Sequence, residues 1–272
     1  MKYIICLLAV AILLVATAFT PKKKKEPVNF ATAKYFEKKL KKVKADLYAW
    51  DTETSNLEYN TYLNEIMANG KNYKSFALDT FKWNETLYSN APYVKYYHTN
   101  KAFNNYPLVN ISYENAIAYC NWLTETYNNK ENKKFTKVEF TLPTETEWMY
   151  AASGGDITKK YPWKANNTFS EKGFYYCNVK GSMNYGKLTY DTAVLAKIRG
   201  NKYYTSDVSS QWRGNKLYNV VGNVAEMLID KGFSKGGSYN TDGAVACIQT
   251  KESYTSSNPE TGFRVFMRVI TP

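Results

Sequence analysis

One histidine, His98, is all that a chain of 272 residues carries. That count excludes a zinc site built on histidines, a two-histidine iron centre and an HExxH protease. A serine–histidine–aspartate triad would have to use His98 itself, and its setting in VKYYHTN reads as a surface or hydrogen-bonded histidine rather than a catalyst. Cysteine is nearly as scarce. Of four, Cys6 lies in the N-terminal apolar run, leaving Cys120, Cys177 and Cys247 for the rest of the chain. No pair is spaced CxxC, so zinc-ribbon and dithiol redox motifs are absent. An odd number allows at most one internal disulfide, and the three read most simply as small buried hydrophobes. A mean hydropathy of −0.51 excludes a polytopic membrane protein.

Aromatic residues, by contrast, reach 16%, with 25 tyrosines. Each ring buries a large area while its hydroxyl finds a partner, which suits a dense and irregular fold. Lysine and arginine total 36 against 24 acids, a formal charge of +12. That charge is spread along the whole chain without an RNA-recognition, zinc-finger or helix-turn-helix signature, so a nucleic-acid partner is not expected.

Residues 1–25 read MKYIICLLAVAILLVATAFTPKKKK. One lysine, an apolar run too short for a comfortable membrane span, and the small residues Ala16 and Ala18 give a signal peptide over residues 1–18. The four lysines that follow oppose normal export polarity, so an uncleaved anchor, with membrane contact through the N-terminus, stays open. Cys6 lies too early to be a lipobox cysteine. Residues 19–44 form a basic arm: either a solvated helix leading into the domain, as charge runs usually are, or a contact for phosphate groups or anionic lipid.

Three helices are legible. Ser55 and Glu58 have capping-box spacing ahead of a stripe of Tyr59, Tyr62, Leu63 and Ile66. Ser112 caps a helix that buries Ala116, Tyr119, Cys120 and Leu123. Thr144 and Glu147 form a second capping box, with Trp148 and Ala151 pointing inward and Gly154-Gly155 ending the helix. From about residue 156 helical periodicity gives way to short aromatic runs between Gly, Asn, Asp and Ser clusters. Helices early and short strands late indicate an α+β fold, with one domain over residues 45–272. Asp51 and Glu53 precede a helix, where acids usually cap or meet the dipole; an acid/base pair is the other reading.

Several segments recur in order: WDTETSNLEY at 50–59, YPLVNISYENAIAYCNWL at 106–123, LPTETEWMYAASGG at 142–155, YPW at 161–163, NVVGNVAEM at 219–227, KGGSYN at 235–240 and GFRVFM at 262–267. Together they resemble the formylglycine-generating-enzyme (sulfatase-modifying-factor) family. The stretch from Asp79 to Cys120 further resembles the gliding-motility and type IX secretion lipoproteins of Bacteroidota, of the GldK/PorK kind. The resemblance implies a variant of the C-type-lectin-like fold, with short helices, twisted antiparallel strands and long ordered loops. GFRVFMRV would close a sheet, with Arg264 paired inside.

Catalysis in that family depends on a cysteine pair at the third and eighth positions beyond the serine of GGSY, whose thiolates bind copper(I). Counted from Ser238, these positions are Thr241 and Ala246. Cys247 is one place late and alone, so copper and formylglycine formation are not expected. Met227 stands where the family usually has tryptophan, and Val265 where Cys120 would find a disulfide partner. The family also binds calcium through loop oxygens. The resemblance places one set at Asn178, the Val179 carbonyl and Asp191, and another at Asn223, the Val224 carbonyl and Glu226, each with a single carboxylate. The alternative is that Asn223 and Glu226 simply satisfy buried hydrogen bonds.

The expected function is an exported, non-catalytic binding or scaffold domain of the bacterial periplasm or envelope that meets a protein partner. The alternative is an oxidoreductase with altered chemistry in the same cleft. Fold alone does not decide between them.

Overall fold

The computed structural model describes residues 28–70, 73–84, 91–170, 175–180, 204–209, 213–214 and 216–272. The signal peptide expected at 1–18 lies outside them. Five helices are present among the described residues: α1 (Ala33–Lys39), α2 (Asn56–Ala68), α3 (Ala91–Tyr96), α4 (Tyr113–Asn128) and α5 (Glu145–Ser153). The strands are β1 (Leu40–Lys44), β2 (Leu47–Trp50), β3 (Lys137–Thr141), β4 (Arg213–Gly214), β5 (Leu217–Tyr218), β6 (Ala225–Met227), β7 (Phe233–Lys235), β8 (Lys251–Ser253), β9 (Thr261–Gly262) and β10 (Phe266–Thr271).

The helix starts follow from their caps. Ser55 and Glu58 bond reciprocally at the head of α2, Thr144 and Glu147 do so at α5, and the Ser112 hydroxyl accepts from the Asn115 amide at α4. Gly154 ends α5 at φ 70°, a left-handed conformation that glycine adopts without penalty. Tyr59, Tyr62, Ile66, Ala116, Tyr119, Cys120 and Leu123 are all buried in the main apolar core, whose rings pack edge-on or tilted (Tyr62 and Tyr119 at 5.3 Å).

One four-stranded sheet runs in the order β1-β2-β10-β3, all antiparallel, and a second in the order β8-β7-β6-β9. GFRVFMRV does close the first sheet: β10 lies between β2 and β3. The second sheet departs from the antiparallel expectation, because β6 and β9 pair in parallel. Strands also begin earlier than expected. LKKVK is too rich in lysine, and LYAW too short, to show the period-two alternation that marks a strand.

The arm assigned to residues 19–44 is packed into the domain from Phe30 onward. Phe30 and Phe36 are buried in the main core, and β1 pairs along β2. Lysine stems allow this, since they cover apolar surface while their heads stay polar. Lys39 illustrates it: its ammonium stands 4.3 Å from the centroid of the Trp50 ring and pairs with the buried Glu58. Burial alone would raise the Glu58 pKa, but Lys39 beside it holds the carboxyl below its ordinary value.

Candidate functional site

The motifs distant in sequence meet at one buried knot. Trp148, from α5, donates through Nε1 to Glu226 Oε2 at 2.7 Å. Arg264, just before β10, reaches the same carboxylate, with Nη2 2.6 Å from Oε1 and Nε 3.0 Å from Oε2. Nη1 donates to the carbonyl of Trp50 (3.0 Å) and Nη2 also to that of Tyr218 (2.6 Å). Burial would lower the arginine pKa, but the Glu226 carboxylate keeps it above its ordinary value. Gly236 lies against the knot at φ 91°, where an added Cβ would sit 2.7 Å from the Val220 carbonyl oxygen and 3.1 Å from the Trp148 ring. LPTETEW, GNVAE, KGGSY and GFR are therefore parts of one scaffold.

Glu226 thus spends its oxygens on hydrogen bonds within the knot. Its two oxygens are saturated by Arg264 and Trp148, and a carboxylate neutralised by a guanidinium has little charge left for a hard cation. The expected hydrogen-bonding role is what the geometry presents. The two proposed calcium sets also prove to be neighbours: Asn178 Nδ2 lies 3.2 Å from Asn223 Oδ1, and the Asn223 amide donates to the Asn178 carbonyl at 2.7 Å. Val179 and Val224 are buried in apolar clusters, while Asp191 lies outside the described residues.

A carboxylate that the sequence reading placed at a helix start is the more telling one. Glu53 is fully buried, and Ser55, not Glu53, caps α2. Glu53 accepts from Asn219 Nδ2 at 3.0 Å and Asn223 Nδ2 at 2.8 Å. Asn219 and Asn223 hold φ of 52° and 64°, the left-handed region that asparagine tolerates. Burial raises the Glu53 pKa to about 8, Arg264 pulling down and Glu226 pushing up by smaller amounts. Asn219 Oδ1 and the hydroxyls of Thr52 and Thr54 are buried without partners. Asp51 is apart from this, paired with Lys41 at 3.3 Å. The sequence signal for Glu53 was its place in WDTETSN, read as a cap because a helix follows.

His98 is interior and satisfied. Its Nδ1 lies 2.9 Å from Asn56 Oδ1, and burial lowers its pKa to about 3.

The loop after the double glycine carries Thr241 and Ala246, which the motif resemblance aligns with a copper-binding cysteine pair. Ser238 is fully buried; its amide donates to Thr241 Oγ1 at 2.8 Å and its hydroxyl meets Glu260 at 3.4 Å. Thr241 Oγ1 donates to Glu252 at 2.8 Å. Ala246 is fully buried in an apolar cluster with Cys177, and Cys247 lies next to it, its Sγ 3.4 Å from Thr250 Oγ1. Cys120, Cys177 and Cys247 are all free thiols. A hydroxyl committed to a carboxylate and a methyl in an apolar cluster do not fit a soft two-thiolate ion, and no copper-dependent step follows from these residues. The same loop edges an open cleft of about 410 Å³, lined by Lys160, Tyr161, Phe169, Tyr175, Lys180 and Asp242 among others.

The sulfatase-modifying factor enzyme 1-like domain matches residues 29–269. The chain belongs to this family. A formylglycine-generating enzyme of Mus musculus is 31% identical over 127 residues, 46% of this chain and 27% of that protein. A protein of Paenibacillus barcinonensis named chaperone protein LppX is 26% identical over 146 residues, 44% of this chain and 50% of its own length. The chain thus spans half or less of the curated relatives it matches. The structure of PvdO from Pseudomonas aeruginosa shares the fold, with a TM-score of 0.53 and 16% identity over 82% of this chain and 80% of that one. The match from residue 29 agrees with a domain that begins before β1.

Proposed function

We propose that this chain is a non-catalytic binding or scaffold member of the formylglycine-generating-enzyme family, exported to the bacterial envelope, where it engages a protein partner. One observation carries the reading: the two copper-cysteine positions are Thr241, hydrogen-bonded to Glu252 of β8, and the buried Ala246. The motif knot that holds the loop is complete, so recognition surface survives where the redox pair does not. The relative named as a chaperone is compatible with a member of the family that acts by binding another protein. Among the described residues no helix is long and apolar enough to cross a membrane. The lectin-like presentation of loops and the gliding or type IX secretion setting rest on the motif resemblance and fit a chain that acts by contact.

Calcium belongs to this reading at Glu53 rather than Glu226. Glu53 and Asn219 would hold it, and the ion would supply a counter-charge for the ionised, buried carboxylate. The alternative, an oxidoreductase with altered chemistry, needs Cys247 to act alone. Titration of the full chain with copper(I) against a chromophoric chelator tests the choice. No stoichiometric uptake is expected; uptake that Cys247→Ser abolishes would overturn the non-catalytic reading.

A further inference from the structure

We propose that the cleft between the Tyr161–Phe169 segment and the Asp242–Ala244 turn binds an acidic, aromatic-bearing peptide segment of the partner; this rests on the binding reading above. Its 410 Å³ lies in the range of about 300–1,000 Å³ typical of sites that take a ligand. A volume of that kind accommodates a few residues of extended chain rather than a folded surface.

The walls are aromatic and the charges are cationic. Phe169 and Tyr175 pack on each other at 5.8 Å, and Tyr161 stacks on Trp163 at 5.2 Å with only 11° between the planes. Phe169 remains 44% exposed. Lys160 stands 5.4 Å from the centroid of the Tyr161 ring. Neither Lys160 nor Lys180 makes an ion pair with another described residue. The carboxylate lining the cleft, Asp242, is turned into its own loop, where Oδ1 accepts from the Ala244 amide at 2.8 Å.

The backbone that carries each cation is tied down. The Lys160 carbonyl accepts from the Ile248 amide at 3.0 Å, and the Lys180 amide donates to the Thr241 carbonyl at 2.9 Å. The two lysine backbones are thus tied to either end of one loop, so binding has only the lysine side chains left to order there. Among the described lining residues, two cations against the single acid Asp242, beside aromatic walls, suit a ligand whose carboxylates flank an aromatic ring. Basic or purely apolar segments would leave the lysines desolvated and unpaired.

The test is fluorescence anisotropy of the full chain with three matched labelled heptapeptides, each with a central phenylalanine flanked by aspartate and glutamate, by serine, or by lysine. The acidic peptide should bind at least about tenfold more tightly than either other, and lose that margin at high salt. The K160E/K180E double variant, changed only at cleft-lining lysines and checked for an unchanged melting temperature, should lose the acidic preference. Equal affinity for the three peptides, or an acidic preference untouched by the charge reversal, would overturn the site. That failure would leave the non-catalytic reading standing, since the latter is tested separately by Cys247-dependent copper chemistry.

Discussion

Arg264 and Glu226 meet at two points, Nη2 to Oε1 at 2.6 Å and Nε to Oε2 at 3.0 Å, with exposures of 0% and 1%. Two charges so buried are a poor source of net stability but cannot be separated cheaply, because removing one strands the other. Glu226→Gln should therefore cost about 3–5 kcal/mol whether or not calcium is present. Urea denaturation with and without a chelator measures it; a loss confined to calcium-containing buffer would mean that Glu226 is a ligand after all.

Glu53 gives the chain a pH dependence with a definite sign. Its folded value of about 8 is above the ordinary 4.5, so the folded state holds the proton more tightly. The stability this contributes is complete below pH 4.5 and is lost as the pH rises through 8. His98 acts in the opposite sense: with a folded value of about 3 against 6.5, its contribution is complete above pH 6.5 and is lost on acidification. The difference in urea midpoint between the natural chain and Glu53→Gln cancels the histidine. It should shift in favour of the variant as pH climbs from 4.5 to 8.

Calcium should reverse that trend by replacing the proton. At alkaline pH the ion is expected to raise the melting temperature of the natural chain and not that of Glu53→Gln. Scanning calorimetry with calcium and with chelator reads this, and an equal rise in both proteins would remove Glu53 from the site.

Gly236 is where the motif scaffold tolerates no side chain. At φ 91°, with the Val220 oxygen 2.7 Å from any Cβ, Gly236→Ala should destabilise by at least about 1–3 kcal/mol from backbone strain alone. Thr144→Ala, which removes a cap at the exposed end of α5, should cost about 1 kcal/mol. Thermal unfolding of the pair ranks them, and the glycine variant should be the less stable.

Those contrasts also show what the sequence made legible. Caps are local, and so Ser55, Ser112 and Thr144 stood where spacing put them. The inward arginine of GFR was equally readable, because a lone charge in an alternating apolar strand must find a buried partner. What stayed hidden was long-range. β1 hides its two inward residues, Leu40 and Val43, among lysines, and only pairing with β2 makes it a strand. Glu53 reads as a cap until Asn219 and Asn223 arrive from a distant loop. The cleft owes its charge to Lys160 and Lys180, which no motif joins and which only the Thr241–Ile248 loop brings to one place.

The most direct measurement of the central claim follows one cysteine through a reaction. A cysteine-containing peptide of the sulfatase type, incubated with the full chain, copper(I) and oxygen, is read by mass spectrometry. The account predicts that the thiol survives as it does without protein. Conversion of the thiol to an aldehyde by the natural chain, lost in Cys247→Ser, would contradict it.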